Sequence, residues 1–547
     1  MVMTMAPAAF AADGGAQFQN GPYLLAPKTN SMVVVWESTE KVSATIAYGT
    51  DESKLCDPIK VEIDADAPDF KGSKMNLFHY KLDNLTPGTR YYYEVKLEGG
   101  ATCKASFKTL SEKPDQIRLI TLSDSHIFAT RAELDQAIKE FDPDLLLHCG
   151  DMVEGTGAQA EQFSFWFQGK VENDYIHSYP VVYSSGNHDQ GGVYFNTYVY
   201  SIQDEEYGAE VEGDSSFNYA GLHIITMNSN PWGLFQMNSE ATGQKADAAT
   251  IKTIDNAMNW LKKDLATDAA KNADFRLIFM HHPVSDAYTK RYIPAVIEPG
   301  KVDLLLSGHT HSYARAVSSN PAVGAGTIYL THQDARTYNK KGDFFYITST
   351  PGSGVLDVKN YGATAAGQES KVANETLVAK DKQQLSWSDI SITPSTVLYN
   401  GEVTVTAKVT NNGKGLAAAV IPVVDNGTTR YLYKFEDGIV TLDPGKSATL
   451  TGTLRMEKLG THTLKLADKT VSVNVKYRPA TFDYTNIRTQ QGNGKTSDMN
   501  SNILHIKADV VNIGNDAGTG TAEFKVNGVT VGTRQYTLKS GESQTAE

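Results

Sequence analysis

Cysteine is scarce. The 547 residues contain three, too few for a disulfide scaffold. No CxxC pair occurs, which removes zinc-ribbon and thioredoxin-like readings. No uncharged apolar run approaches the ~20 residues that span a bilayer, so no transmembrane segment is expected. Basic residues are the minority charge: Lys plus Arg number 50 against 63 Asp plus Glu, for a net charge of -13. A chain of that sign repels phosphate backbones at long range, which excludes nucleic acid as a structural partner. Hydrophobic residues make up 40% and charged residues 21%, so the chain reads as soluble and globular. At about 150 residues per domain, its length suggests three to four domains.

Cys149 ends an apolar run and reads as a buried free thiol. Cys56 and Cys103 share the N-terminal region and could pair or stay as thiols. Ala9-Phe10-Ala11 fits the small-x-small pattern of a signal-peptidase site, although the basic region and most of the apolar region that should precede it are missing. Residues 1–17 therefore read as a signal-peptide remnant and leader. They predict a secreted or cell-surface, extracytoplasmic protein.

Residues 18–112 alternate with strand periodicity, as in Met32-Val33-Val34-Val35-Trp36 and Ala44-Thr45-Ile46-Ala47-Tyr48. Leu85-Thr86-Pro87-Gly88 turns into the Tyr-rich strand Arg90–Val95. A Pro-Gly turn entering such a strand predicts a β-sandwich of the fibronectin type III or Ig kind. This stretch resembles the fibronectin-like domain that precedes the catalytic domain in purple acid phosphatases.

Residues 113–382 change character. Ile117–Leu122, Asp144–Leu147, Pro180–Tyr183, Phe275–Met280 and Val302–Leu306 read as buried strands. Ala132–Phe141 and Ile251–Leu265 read as amphipathic helices, which makes this an α/β domain. Residues 383–477 and 478–547 return to strands and repeat each other. Ala407–Gly413 parallels Ala508–Gly514, Val424–Gly427 parallels Lys525–Gly528, and Leu442–Ser447 parallels Leu538–Ser543. The pair is similar to the Ig-like adhesion modules of secreted bacterial proteins. The second copy reads as truncated.

Ten of the thirteen histidines lie in the α/β stretch, several of them directly after an apolar strand. The strand exits are Asp124-Ser125-His126, Gly150-Asp151, Gly186-Asn187-His188-Asp189, His281-His282-Pro283 and Gly308-His309-Thr310-His311. In an open α/β sheet, ligands gather outside the carboxyl ends of the strands, so five exits deliver Asp, His and Asn to one place. Such oxygen and nitrogen donors suit Zn, Mn, Fe or Ni and not Ca. In Asp-x-His and His-x-His, alternate residues past a strand point the same way. Asp151 is a candidate bridge between two ions. Two ions ~3.5–4 Å apart can share a hydroxide and stabilise both ends of an in-line displacement.

The ordered set Asp-x-His, Gly-Asp, Gly-Asn-His-Asp, His and Gly-His-x-His resembles the signature of the calcineurin-like metallophosphoesterases. That resemblance implies a central metallophosphoesterase sandwich over 113–382 holding two divalent or mixed-valence ions. Asp124, His126, Asp151 and His311 would hold the first ion, and Asp151, Asn187, His281 and His309 the second. It makes His188 the group that contacts the phosphate and protonates the leaving oxygen, with Glu154 as the acid that orients it. His282 could line the pocket or bond a loop. His148 and His223 read as core histidines, and His332 could edge the pocket. Gly308–Arg315 resembles the Gly-His-x-His-x-Tyr-x-Arg of purple acid phosphatases, but Glu154 stands where those enzymes place a ligand Tyr, and His126 is a histidine they lack. The protein Ser/Thr phosphatase pattern fails because no Arg follows in Gly150–Thr156.

The reading is therefore an extracytoplasmic phosphoesterase that hydrolyses a phosphomonoester or phosphodiester by attack of a metal-bound hydroxide. Its C-terminal modules would hold a cell-surface polymer. The competing reading is a surface-binding or adhesion protein whose metal domain is mainly structural.

Overall fold

The structure is a computed structural model. It describes residues 15–64, 69–70, 73–126, 137–154, 163, 166–167, 174–189, 193–231, 248–284, 302–317, 327–333, 343–362, 375–379, 382–432, 440–491 and 504–547. Ala9–Ala11 and the first half of the Ala132–Phe141 helix lie outside the described residues; 137–141 are helical. All three cysteines are free, so Cys56 and Cys103 are not paired: Cys56 is exposed and Cys103 buried. Contacts divide the chain into two compact units. One runs to Gln384 and takes back 413–417; the other is 385–412 with 418–547.

The first unit opens with two small sheets. Phe18–Leu25, Met32–Ser38 and Leu77–Leu82 form one; Ile59–Val61, Ala44–Gly49, Arg90–Leu97 and Thr102–Lys108 form the other. Met32, Val34 and Trp36 point into the space between them, against Phe78, Ile46, Val95 and Phe107. Val33 and Val35 point the other way and share a core with Phe163, Phe167, Tyr183 and Tyr198 of the α/β stretch. Strand residues alternate faces, so a strand covered on both sides reads as an unbroken apolar run. That accounts for Met-Val-Val-Val-Trp.

The α/β stretch contributes twelve described strands in two six-stranded sheets. They are β1 (Ile117–Leu122), β2 (Leu145–His148), β3 (Val181–Tyr183), β4 (Ser215–Tyr219), β5 (Leu222–Thr226), β6 (Phe275–Phe279), β7 (Leu304–Ser307), β8 (Ala314–Val317), β9 (Ile328–Thr331), β10 (Asp343–Ser349), β11 (Val355–Gly362) and β12 (Glu375–Val378). The sheet orders are β3-β2-β1-β10-β11-β12 and β4-β5-β6-β7-β9-β8. β1, β2 and β3 run parallel, as do β5, β6, β7 and β9. Leu119, Leu145, Leu147 and Val182 of one sheet pack on Ile224, Leu277, Phe279, Leu304 and Leu306 of the other. Ile225, Ile278 and Leu305 face outward onto α1 (Ala248–Leu265), through its Ile254, Met258, Leu261 and Leu265. That spacing is one face of a 3.6-residue helix, and each fully buried Leu or Ile contributes about 1.5–3 kcal/mol. Leu416 returns to this unit, its N–H donating to the Thr376 carbonyl at 2.8 Å.

In the second unit, the strands 385–393, 401–411 and 447–456 form one sheet, and 482–491, 504–512 and 543–546 repeat it. The hairpins 421–432 and 518–538 both turn on Asn-Gly. Asn426 and Gly427 have φ of 46° and 87°, and Asn527 and Gly528 have 50° and 83°. Two successive positive φ values make the type I′ turn that matches strand twist, and Asn-Gly is its preferred sequence. The internal repeat is thus expressed in backbone geometry.

Candidate metal centre

Parallel order places the exits of β1, β2 and β3 at one end of the first sheet, and those of β6 and β7 at one end of the second. The loops are then stitched to each other. Asp124 N–H donates to the Gly150 carbonyl (3.0 Å), His126 N–H to the Asp151 carbonyl (2.9 Å) and Gly308 N–H to the His281 carbonyl (2.8 Å). His309 N–H reaches across to Asp124 Oδ2 at 3.0 Å. The backbones approach so closely that side chains are excluded. A Cβ on Gly308 would lie 1.9 Å from Ser123 Oγ, and one on Gly150 would lie 2.6 Å from Gly186 N.

Asp124, His126, Asp151 and His311 each bring a donor atom within 4.8 Å of the others. His126 Nε2 is 3.3 Å from His311 Nε2, and His311 Nε2 is 3.2 Å from Asp124 Oδ1. On the other side of Asp151, His281 Nε2 lies 3.1 Å from Asp151 Oδ2 and 3.1 Å from Asn187 Oδ1. His281, His282 and His309 form a second group of donors within 4.8 Å. The other six candidate ligands thus gather around Asp151. His188 stands at the rim, half-buried, with Nε2 4.0 Å from Asp151 Oδ2.

Five of the seven have left-handed backbone: Asp124 (φ 52°), His126 (46°), Asp151 (56°), His309 (73°) and His311 (52°). Each such residue costs on the order of 1–3 kcal/mol and persists only where its surroundings enforce it; such residues concentrate at functional sites. Charge points the same way. Asp124 and Asp151 are buried, and among the described residues neither pairs with Lys or Arg. Burial lowers the proton affinity of His281, but Asp151 and Asp124 outweigh it and hold the imidazole up at about 9. Burial also opposes ionisation of Asp151, yet His281 holds that carboxyl below its usual range. Burial and His281 push His309 down to about 4. Two buried carboxylates with no Lys or Arg beside them draw a proton onto His281, so the site calls for added positive charge, and the donor set fits two transition-metal cations.

Residues 117–313 match the family described as calcineurin-like phosphoesterase, and residues 22–109 match the purple acid phosphatase N-terminal domain. The chain carries a calcineurin-like phosphoesterase domain behind a purple acid phosphatase N-terminal domain. No curated protein matches it. Among solved structures it is similar to one titled "Structure of PhoD", at 12% identity and a TM-score of 0.46, covering 67% of this chain and 90% of that one. Another is a conserved uncharacterized protein, a predicted phosphoesterase, from Streptococcus pneumoniae TIGR4, at 10% identity and a TM-score of 0.24, covering 48% and 99%.

Within the phosphoesterase domain, some partners differ from those the motifs suggest. His188 Nδ1 donates to the backbone carbonyl of Glu154 at 2.6 Å, while the Glu154 carboxylate turns to His126 Nδ1 at 2.9 Å. His282 bonds Ser229, with Nδ1 2.9 Å from its Oγ, and Nε2 is buried without a hydrogen-bond partner among the described residues. His332 is buried against Phe345 and lies 3.0 Å from Thr121 Oγ1, so it does not edge an opening. His148 bonds Ser125 Oγ (2.9 Å), and His223 sits between Asn218 and Asp264.

Asp189 closes the Gly-Asn-His-Asp motif but offers no ligand, and motif reading passes over it. It is fully buried. Its Oδ2 accepts from Asp151 N–H (2.7 Å) and Gly186 N–H (2.8 Å), and its Oδ1 from Met152 N–H (2.9 Å) and Val153 N–H (3.3 Å). One carboxylate therefore ties the β2 exit to the β3 exit. Asp189→Asn turns one acceptor into a donor facing donors, which costs about 1–3 kcal/mol per unsatisfied buried group. The variant should melt earlier and bind metal roughly tenfold more weakly, by analogy with outer-shell partners of ligands. Unchanged melting and chelator competition would refute this role.

Colour provides a separate check. Tyr313 packs edge-on to Phe345 at 6.2 Å between ring centres, and the motif resemblance puts Glu154 where purple enzymes place a ligand tyrosine. Protein loaded with iron and oxidised should lack the broad visible band of tyrosinate charge transfer. A purple band that vanishes in Tyr313→Phe would place a tyrosine on the metal.

Proposed function

We propose that the chain is a dinuclear-metal phosphoesterase that hydrolyses phosphomonoesters or phosphodiesters outside the cytoplasm. The observation that carries this reading is Asp151. It stands between two donor groups, with His126 and His311 on one side and His281 on the other. Asp124, His126, Asp151 and His311 would hold one cation, and Asp151, Asn187, His281 and His309 the other. Bound there, Zn, Mn, Fe or Ni supplies Lewis-acid polarisation of a phosphoryl oxygen and lowers the pKa of water.

The chain's own groups set the rest. The Cys149 carbonyl accepts from His281 Nδ1 at 2.9 Å, so Nε2 is the nitrogen turned to Asp151 and Asn187, and it would give its lone pair to a cation that displaces its proton. The Glu154 carbonyl accepts from His188 Nδ1, which leaves Nε2 as the nitrogen on the side of Asp151, 4.0 Å from its Oδ2. His188 can then carry a proton to a leaving oxygen. The extracytoplasmic part rests on Ala9-Phe10-Ala11; among the described residues, no helix is long and apolar enough to cross a membrane.

The test is a panel of mono- and diesters on protein stripped of metal and reloaded with each metal in turn, with elemental analysis. Turnover should need metal and vanish with chelator. Protein holding two ions that cleaves none of the esters would overturn the enzymatic reading in favour of a structural metal domain.

A further inference from the structure

Glu154 faces two imidazoles at once. Its carboxylate Oε2 is 2.9 Å from His126 Nδ1, and its main-chain carbonyl accepts from His188 Nδ1 at 2.6 Å. The two rings lie edge to face, 5.1 Å between centres. We propose that Glu154 is a positioning residue for the first metal site. Its side chain sets the donor strength of His126, while its main chain alone sets His188. This rests on the dinuclear reading above.

The tautomer of His126 carries the argument. Nδ1 has two neighbours, the Val153 carbonyl at 3.2 Å and Glu154 Oε2. A carbonyl oxygen only accepts, and so does an ionised carboxylate, so Nδ1 carries the hydrogen. Nε2 is then left with its lone pair, 3.3 Å from His311 Nε2 and inside the group that includes Asp124 and Asp151. Val153 would fix the tautomer by itself. What Glu154 adds is negative charge behind the ring, which makes the nitrogen on the far side a stronger donor. The division of labour also follows from burial. The His126 side chain is 1% exposed and cannot turn, whereas the Glu154 side chain is 44% exposed and is held in place by that one contact among those described. The backbone that holds His188 is anchored separately, because Met152 and Val153 N–H both bond Asp189.

The sharp consequence is that removing the carboxylate alters metal binding and not proton delivery. Manganese(II) is titrated calorimetrically into chelator-stripped wild type, Glu154→Ala and Glu154→Gln, and each saturated protein is assayed on an aryl and an alkyl phosphate ester. One of the two binding steps should weaken ~10–100-fold in Glu154→Ala, the range for outer-shell partners of ligands. Glu154→Gln keeps an acceptor without the charge and should fall between Glu154→Ala and wild type. The aryl-to-alkyl rate ratio at saturating metal should match wild type in both. Two unchanged binding steps in Glu154→Ala would overturn the proposal. So would a shifted ratio with normal metal affinity, which would return the carboxylate to His188. Circular dichroism melts confirm that each variant is folded. Wild type that takes up fewer than two ions would remove the dinuclear reading itself, a result distinct from any difference between variants.

Discussion

Asp151→Asn is expected to release at least one of the two cations and to lower turnover by ~10³-fold or more, since nucleophile and electrophile both depend on the pair. The substitution is nearly isosteric, so the loss isolates charge. Asp151 is also held from several sides: its N–H is bonded to Asp189, its Oδ1 accepts from His188 N–H at 2.8 Å, and its Oδ2 meets His281. An amide in that place can orient only one oxygen correctly, and its NH2 must face a group that was arranged to meet an acceptor. The checks are elemental analysis and steady-state kinetics on folded protein. Near-normal turnover with two metals bound would remove Asp151 as the bridge.

His188→Ala should produce the second large effect, and its signature is selectivity. A group that protonates the leaving oxygen contributes ~10²–10⁴-fold, most for leaving groups that depart badly as anions. Alkyl esters should lose that much and activated aryl esters far less, while metal content holds. The geometry fits, because His188 is half-buried, Nδ1 is committed to a carbonyl, and Nε2 makes no hydrogen bond among the described residues. An equal loss on both ester types would make His188 a phosphate-positioning group.

The strands and the candidate site were legible for a common reason. A buried parallel strand leaves a short apolar run, and its exit is marked by the residue types that chemistry needs. Leu145–His148 followed by Gly150-Asp151 carries both signals. What the sequence concealed was partnership. Glu154 lies three residues past Asp151, and nothing in that spacing tells a side-chain contact from a main-chain one. Asp189 acts by accepting four backbone N–H groups, and backbone donors leave no mark on residue identity. His332 sits past a strand end like the candidate ligands do, yet β9 places it beside Thr121. The run Met32–Trp36 did carry a message about a second buried face, but a run of apolar residues does not name what covers it. The return of 413–417 to the first unit had no local signal, because a short segment bridging to Thr376 is indistinguishable from any loop.

The shared core of the N-terminal sheet bears on modularity. Tyr23 Oη donates to the Tyr198 carbonyl at 2.7 Å, and buried Glu37 accepts from Tyr198 Oη at 3.0 Å. Two residues on, Tyr200 Oη accepts from Ser185 N–H at 2.7 Å, one step before the Gly186-Asn187 exit. The segment that holds both tyrosines, Asn196–Tyr200, is a π-helical turn, a rare geometry frequent at functional sites. The sandwich is therefore no interchangeable appendage. Recombination at the junction near residue 112 would strip Val33, Val35 and Leu25 from the face they cover, and would cut loose the turn that props the Asn187 loop. Any exchange of parts that preserves catalysis has to carry both domains together, so the two should be inherited as one unit, with sequence drift at Tyr23, Glu37 and Tyr198 correlated across the join.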